Sequence, residues 1–128
     1  MTDKFMIDIG KDFSPFPGPR HRRHGRFSGE EFRQEFLVER LRSALAAGEP
    51  LVVVLDTVAL AYLNSFLEEA FGGLVRDEGF SAETVLRTIE FRVTKPRFNK
   101  YKLMAERAIK EEGQRSPTMQ PAPRQLAV

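Results

Sequence analysis

Cysteine is absent from this chain. That excludes disulfide frameworks, thiolate nucleophiles and cysteine-ligated zinc, and it makes a reducing compartment the expected setting. Long apolar runs are missing as well, since no stretch approaches the roughly 20 residues that span a bilayer. The first residues, Met1-Thr2-Asp3-Lys4-Phe5, lack the charged-then-apolar layout of a signal peptide. A soluble, cytoplasmic protein is expected. Catalytic signatures are equally scarce: there is no glycine-rich phosphate loop, no nucleophile elbow and no His-Glu metalloprotease motif. His21 and His24 stand three apart with no second cluster of acids or histidines to complete a metal site. Asp8 and Asp56 each end or interrupt a strand-like run, but neither has an evident acid–base partner, and Asp56 is expected to cap a turn before Ala59. These absences predict no enzyme, no cofactor and no metal.

What is present suffices for one domain. The hydrophobic fraction is 41% with eleven Phe in 128 residues, enough for a single core. Net charge is +2, but the sign is uneven. Lys11, Arg20, Arg22, Arg23 and Arg26 face Asp12 alone over residues 11–28, and Arg115 and Arg124 have no acid beside them in the tail from Gly113. Residues 29–79 run the other way, with ten acids against four arginines. The pI near 9.1 therefore describes one loop and the C-terminal region more than the whole surface, whereas a generic nucleic-acid binder spreads positive charge over a folded face.

The hydrophobic pattern predicts alternating strands and helices. Phe5–Ile9 reads as a strand stopped by Gly10, followed by a long Pro/Gly-rich loop over 10–28. Ser28-Gly29-Glu30-Glu31 matches a capping box opening a helix to about Ala47, with Phe32, Phe36, Leu41 and Leu45 as its apolar stripe. Leu51–Leu55 reads as a central strand buried on both faces. Ser65-Phe66-Leu67-Glu68 is a second capping box, opening a helix to about Glu78 that buries Phe66, Leu67, Ala70, Phe71, Leu74 and Val75. Its internal Gly72 and Gly73 are expected to pack closely on the sheet. Gly79-Phe80 fits a left-handed stop, and Ser81 opens a short helical segment. Thr88–Val93 alternates like an edge strand. Pro96 can start a last helix with Tyr101, Met104, Ala105, Ala108 and Ile109 inward. This predicts a small α/β layer fold over 1–112, with a largely parallel or mixed sheet of three to five strands and three to four helices. A disordered tail is expected over 113–128.

Three motifs carry a resemblance. The run Ile7-Asp8-Ile9-Gly10-Lys11-Asp12-Phe13-Ser14-Pro15-Phe16-Pro17-Gly18-Pro19-Arg20, together with Phe27-Ser28-Gly29-Glu30-Glu31-Phe32-Arg33 and Ser65-Phe66-Leu67-Glu68-Glu69-Ala70-Phe71-Gly72-Gly73-Leu74, resembles the bacterial STAS-like domain family of unknown function over roughly residues 4–110. The resemblance implies a relationship to STAS domains, whose best understood members are anti-sigma-factor antagonists. Those bind histidine-kinase-like ATPases that act as protein kinases, and phosphorylation of a Ser at a helix start switches binding off. That Ser lies in an Asp-Ser-Ser-Gly-Leu motif, which falls here on Leu63-Asn64-Ser65-Phe66-Leu67. Ser65 keeps the hydroxyl, while Leu63, Asn64 and Phe66 replace the Asp, the first Ser and the Gly.

Ser65 also has a structural reading, as an N-cap completed by Glu68. If the first two strands are parallel, the loops after them emerge at one sheet edge. Arg20, Arg22, Arg23 and Arg26 could then join the N-terminus of the Ser65 helix, with Asn64 and Glu68, around one anionic group. The expected contact surface for a protein partner is the Thr57–Asn64 loop with the helix it precedes, Tyr62 and Leu63 being either its exposed apolar part or, equally, part of the core. The competing expectation is nucleic-acid or other polyanion binding through residues 20–26 and the tail, which steep salt dependence would reveal.

Overall fold

Three strands and the helices between them account for most of residues 4–115, which the computed structural model describes. In chain order they are β1 (Phe5–Asp8), α1 (29–47), β2 (Leu51–Val54), α2 (64–76), α3 (Ala82–Thr88), β3 (Ile89–Arg92) and α4 (Asn99–Arg115). The strands form one parallel sheet in the order β1-β2-β3, with Phe5, Leu51 and Ile89 in one register row and Ile7, Val53 and Phe91 in another. The protein is thus a small α/β fold.

β2 is central because its run of β-branched residues is buried throughout Leu51, Val52 and Val53. β2 was expected to be buried on both faces, and Leu51, Val52 and Val53 all are. Phe5, Ile7, Leu51, Val53, Ile89 and Phe91 join the core with Phe32, Leu41, Phe66, Phe71 and Leu74. On the other face Val52 is buried, but its register neighbours Met6 and Glu90 are exposed.

α1 and α2 are each interrupted by a π-helical turn. α1 is α-helical at Gly29–Phe32 and Val38–Ala47, with the wider turn at Arg33–Leu37. α2 is α-helical at Asn64–Leu67 and Gly73–Arg76, with the wider turn at Glu68–Gly72. A π turn closes on i+5 and so shifts the buried face by about one residue. This explains one departure from the expected stripe. Phe32 and Leu41 are buried as the period predicts, but Leu37, Val38 and Ala44 complete the face, and Leu45 lies exposed. The stripe expected for α2 is buried at every position.

The last helix passes through Gly113 and ends at Arg115, beyond the expected start of the tail. The remainder of that tail, including Arg124, lies outside the described residues. Among the described residues no helix is long and apolar enough to cross a membrane.

Candidate functional site

The loops after β1 and β2 emerge at the same edge of the parallel sheet, where open α/β folds place their sites. The segment over 10–28, expected as a loop, has structure of its own, a π-helical turn at Ile9–Phe13 and a 3-10 turn at Arg22–His24, and is held at many points. Phe13 packs its ring against Phe27, Phe32 and Phe36 at 5.6, 5.1 and 5.5 Å between centroids. The first free N–H groups of α1 are satisfied by this loop and by Ser28: Gly29 and Glu30 donate to the carbonyls of Pro19 and Arg20, and Glu31 donates to Ser28 Oγ at 3.0 Å. The expected Ser28 cap is therefore present, and Glu31 reaches back to the N–H of Phe27.

The basic cluster of this loop divides. Arg20 Nη2 lies 2.5 Å from Glu68 Oε1 and its Nη1 3.7 Å from Glu69 Oε1, which fastens the loop to α2. Arg22 donates to Gln34 Oε1 and lies 3.0 Å from Glu35 on α1, and its N–H donates to Glu30. That N–H, with His21 and Arg33 nearby, outweighs burial and holds the Glu30 carboxyl below its ordinary range. Arg23 and Arg26 are exposed, and the Arg26 guanidinium sits over the Phe27 ring at 4.9 Å. Of the four arginines expected to face one anion, only Arg20 is seated beside the first turns of α2.

Beneath Arg20 is a buried ionic hub that the sequence reading missed. Arg33 and Glu69 are each 3% exposed. Arg33 Nη1 donates to Glu69 Oε2 at 2.8 Å and to the Glu69 carbonyl at 2.6 Å, and its Nε donates to Glu78 at 3.0 Å. Arg76 Nη2 meets the same Glu69 oxygen at 2.9 Å and Asp77 at 2.6 Å. The hydrogen bond to Arg76 depresses the Asp77 carboxyl against the opposing effect of burial, and Arg76 is raised in turn. The two π turns meet here, which supplies a reason for Gly73: a Cβ on it would lie 2.1 Å from Arg33 Nη1. Gly72 likewise faces α4, where a Cβ would meet Glu112 Cγ at 3.2 Å. Both glycines make room for Arg33 and α4, not for the sheet as expected. Glu69 was legible only as a polar residue flanking an apolar stripe; the adjacent Gly-Gly pair was the available signal of close packing.

A second buried carboxylate, Asp56, does not cap a turn before Ala59. It accepts from the N–H and hydroxyl of Thr94 and from the N–H of Lys95, tying the end of β2 to the segment after β3. Burial pushes its carboxyl up, but the Thr94 and Lys95 donors prevail and hold it below the ordinary value. At the neighbouring strand end Asp8 Oδ1 accepts from the Thr57 hydroxyl at 2.5 Å and from Lys11 N–H. Both acids are occupied in joining loops.

Ser65 is not the N-cap. Helix α2 starts two residues earlier, with Leu63 in the cap position and its carbonyl accepting from Phe66 and Leu67. Ser65 is half-buried in the first turn, and its hydroxyl makes no hydrogen bond among the described residues. Asn64 donates to Glu68 Oε2 at 3.1 Å, so Glu68 is held from both sides by Asn64 and Arg20.

Tyr62 is the cause of this early start. Of the two places open to it, surface or core, it takes the core: it is buried, donates its hydroxyl to the Leu55 carbonyl at 2.7 Å, and packs its ring 5.4 Å from Tyr101 and 5.8 Å from Phe66. Burial drives that hydroxyl pKa upward, which suits a fixed donor. With Tyr62 turned in, its neighbours point out: Leu60 is 72% and Leu63 55% exposed. Phe16, 65% exposed, comes from the facing loop, whose Pro15 carbonyl accepts from Ala59 N–H. Three of the large exposed hydrophobic side chains thus stand on two hydrogen-bonded loops at one sheet edge. Single exposed leucines need no explanation, but a group of them does. Comparison of this chain with family models, with curated proteins and with solved structures finds no match.

Proposed function

We propose that this protein is a non-enzymatic interaction module of a bacterial regulatory switch, related to STAS domains. It binds an ATPase- or kinase-fold partner through the 57–63 loop and the first turn of α2. The observation that carries this reading is the pairing of Leu60 and Leu63, both turned outward by the buried Tyr62, with a Ser65 hydroxyl that has no hydrogen-bond partner among the described residues. Apolar side chains in such a position bury on contact with a partner, each contributing up to about 1.5–3 kcal/mol if fully covered.

Ser65 is the control point in this reading. A phosphate there sits in the first turn of a helix of more than three turns, where the free N–H groups and the helix dipole favour an anion. Glu68 and Glu69 follow on the same helix, but Arg20, Arg33 and Arg76 neutralise them. Phosphorylation adds charge of about −2 beside Leu63 and would disfavour an apolar contact.

The test is affinity capture of the tagged full chain from its native host, with intact-mass measurement, for wild type and Ser65→Ala. Recovery of an ATPase-fold protein, with a phosphate on wild type and none on the variant, is the expected result. A partner without phosphate removes the switch and keeps the module. Nucleic acid without a protein partner contradicts the proposal and favours the exposed Arg23 and Arg26.

A further inference from the structure

We infer that the outward face of α4, from Lys100 through Leu103 and Arg107 to Lys110, extends the surface around Leu60 and Leu63 and receives an acidic protein segment studded with apolar side chains. The inference rests on the interaction reading above and names the partner's chemistry.

Helical spacing fixes the orientation of this face. Residues 100, 103, 107 and 110 fall on one stripe, and the opposite side is committed to the core through Tyr101, Ala105, Ala108 and Ile109. All four stripe residues are exposed, Leu103 at 59%. Glu106 and Lys110 stand four apart, as do Arg107 and Glu111, the spacing at which intrahelical ion pairs form. Neither pair closes, and Lys100, Arg107 and Lys110 have no carboxylate within ion-pair distance among the described residues. Lys100 instead rests 5.2 Å over the Tyr101 ring.

The stripe is continuous with the leucines. Arg97, just before α4, donates its guanidinium to the Leu60 carbonyl at 3.1 Å. Tyr62, between Leu60 and Leu63, packs on Phe98 and Tyr101. At the seam of α2 and α4 a cavity of about 190 Å³ brings Asn64 and Glu68 together with Met104 and Arg107. Leu60 and Leu63 thus adjoin Arg97 and the Arg107 side of α4, from which the stripe of Lys100, Leu103 and Lys110 runs on along the helix to Glu83 and Arg87 beside Lys110.

Its composition selects the occupant. Leucines alternate with cations, and Glu106, Glu111 and Glu68 border them. A continuous polyanion such as nucleic acid, or an anionic membrane, would meet those carboxylates along its length. A protein segment can place separate Asp or Glu side chains on the cations and apolar ones on the leucines, which is how charge complementarity specifies partners.

The experiment uses the isotope-labelled full chain and a synthetic helix-forming peptide with glutamates and leucines along one side. Amide shifts are followed by NMR at low and high salt, beside the same peptide with glutamines, an RNA oligonucleotide and phosphatidylserine vesicles. The expected result is shifts confined to residues 60–63, 97 and the outer face of 100–110. Binding should weaken roughly tenfold for the glutamine peptide and for the combined Lys100→Glu, Arg107→Glu and Lys110→Glu protein, whose unfolding temperature serves as the folding control. Glutamine substitutions at the same three positions should give a smaller loss. Equal binding of the two peptides, shifts centred on 20–26, or tighter binding of RNA or vesicles would overturn the inference. A native complex that depends on Leu60 and Leu63 but ignores the charge reversal also overturns it while sparing the interaction reading. Peptide binding on the stripe without any ATPase-fold partner does the opposite.

Discussion

Arg20 and Arg22 lie in the most basic stretch of the chain, yet both are tied to carboxylates of the same molecule, Arg20 to Glu68 and Glu69 and Arg22 to Glu35. Arg107 and Lys110 lie in a stretch of mixed sign, yet neither has a carboxylate partner among the described residues. The difference arises from topology. Parallel strands bring the loop after β1 against the acidic α2 and α1, so its cations meet acids that are distant in sequence. α4 sets Glu106 and Glu111 at the borders of the stripe and turns Glu112 inward to Arg76, which leaves Lys100, Arg107 and Lys110 along the stripe itself. Charge that stands out in the sequence is thus only partly free in the fold: Arg20 and Arg22 are paired, whereas Arg23 and Arg26 have no ion pair among the described residues.

The sharpest way to break this comparison is to remove the acid beneath the loop. Glu69→Ala should destabilise the protein by up to about 3–5 kcal/mol, because buried Arg33 loses the carboxylate on its Nη1 and keeps only Glu78 and the more exposed Asp77. That is a large share of the ~5–15 kcal/mol typical of a domain, so urea unfolding should show a much lower midpoint or no folded baseline. Combined Arg33→Met and Glu69→Leu should recover much of the loss, since neither member of the pair is then left buried without the other.

Asp56 sharpens the point, because it is a buried acid held by N–H groups rather than by a cation. Asp56→Ala should cost about 2–3 kcal/mol in urea unfolding by leaving the Thr94 and Lys95 donors unmatched. Its folded pKa lies below the ordinary 3.8, as does that of Asp77. The stabilisation is therefore complete above the unfolded value and is lost as pH falls through the folded one. Thermal unfolding followed from neutral pH downward should show stability declining through and below pH 3.8, and Asp56→Asn should flatten that decline.

The two basic regions themselves give the smaller effects. Arg20→Ala should destabilise by about 1 kcal/mol or less, since its ion pairs are partly solvated. Arg107→Ala should leave the urea midpoint unchanged while weakening binding of an acidic peptide. Equal destabilisation by the two variants would erase the distinction between engaged and free charge.

Much of the fold was legible because its signals are periodic. The run Leu51–Val54, the alternation at Ile89–Arg92 and the apolar spacing of α2 each map onto a strand or helix face. What escaped depends on contacts across the chain. The π turn in α1 moved Leu45 out of the core. The Ser65–Glu68 pattern matches a cap locally, but burial of Tyr62 against Phe98 and Tyr101 starts the helix at Asn64. The exposure of Leu60 and Leu63 follows from the same burial, and the choice between surface and core that the sequence left open for Tyr62 and Leu63 falls to core for Tyr62 and surface for Leu63. The Arg33–Glu69 pair is separated by more than thirty residues and gives no local pattern.

The most direct test of the account captures the native partner with two double variants side by side, Leu60→Ser with Leu63→Ser and Arg23→Ala with Arg26→Ala. Neither pair touches the buried hub, so both proteins should fold. The account predicts that the leucine variant loses an ATPase-fold partner and the arginine variant keeps it. Loss with the arginine variant and retention with the leucine variant would contradict it and move the binding surface to the loop.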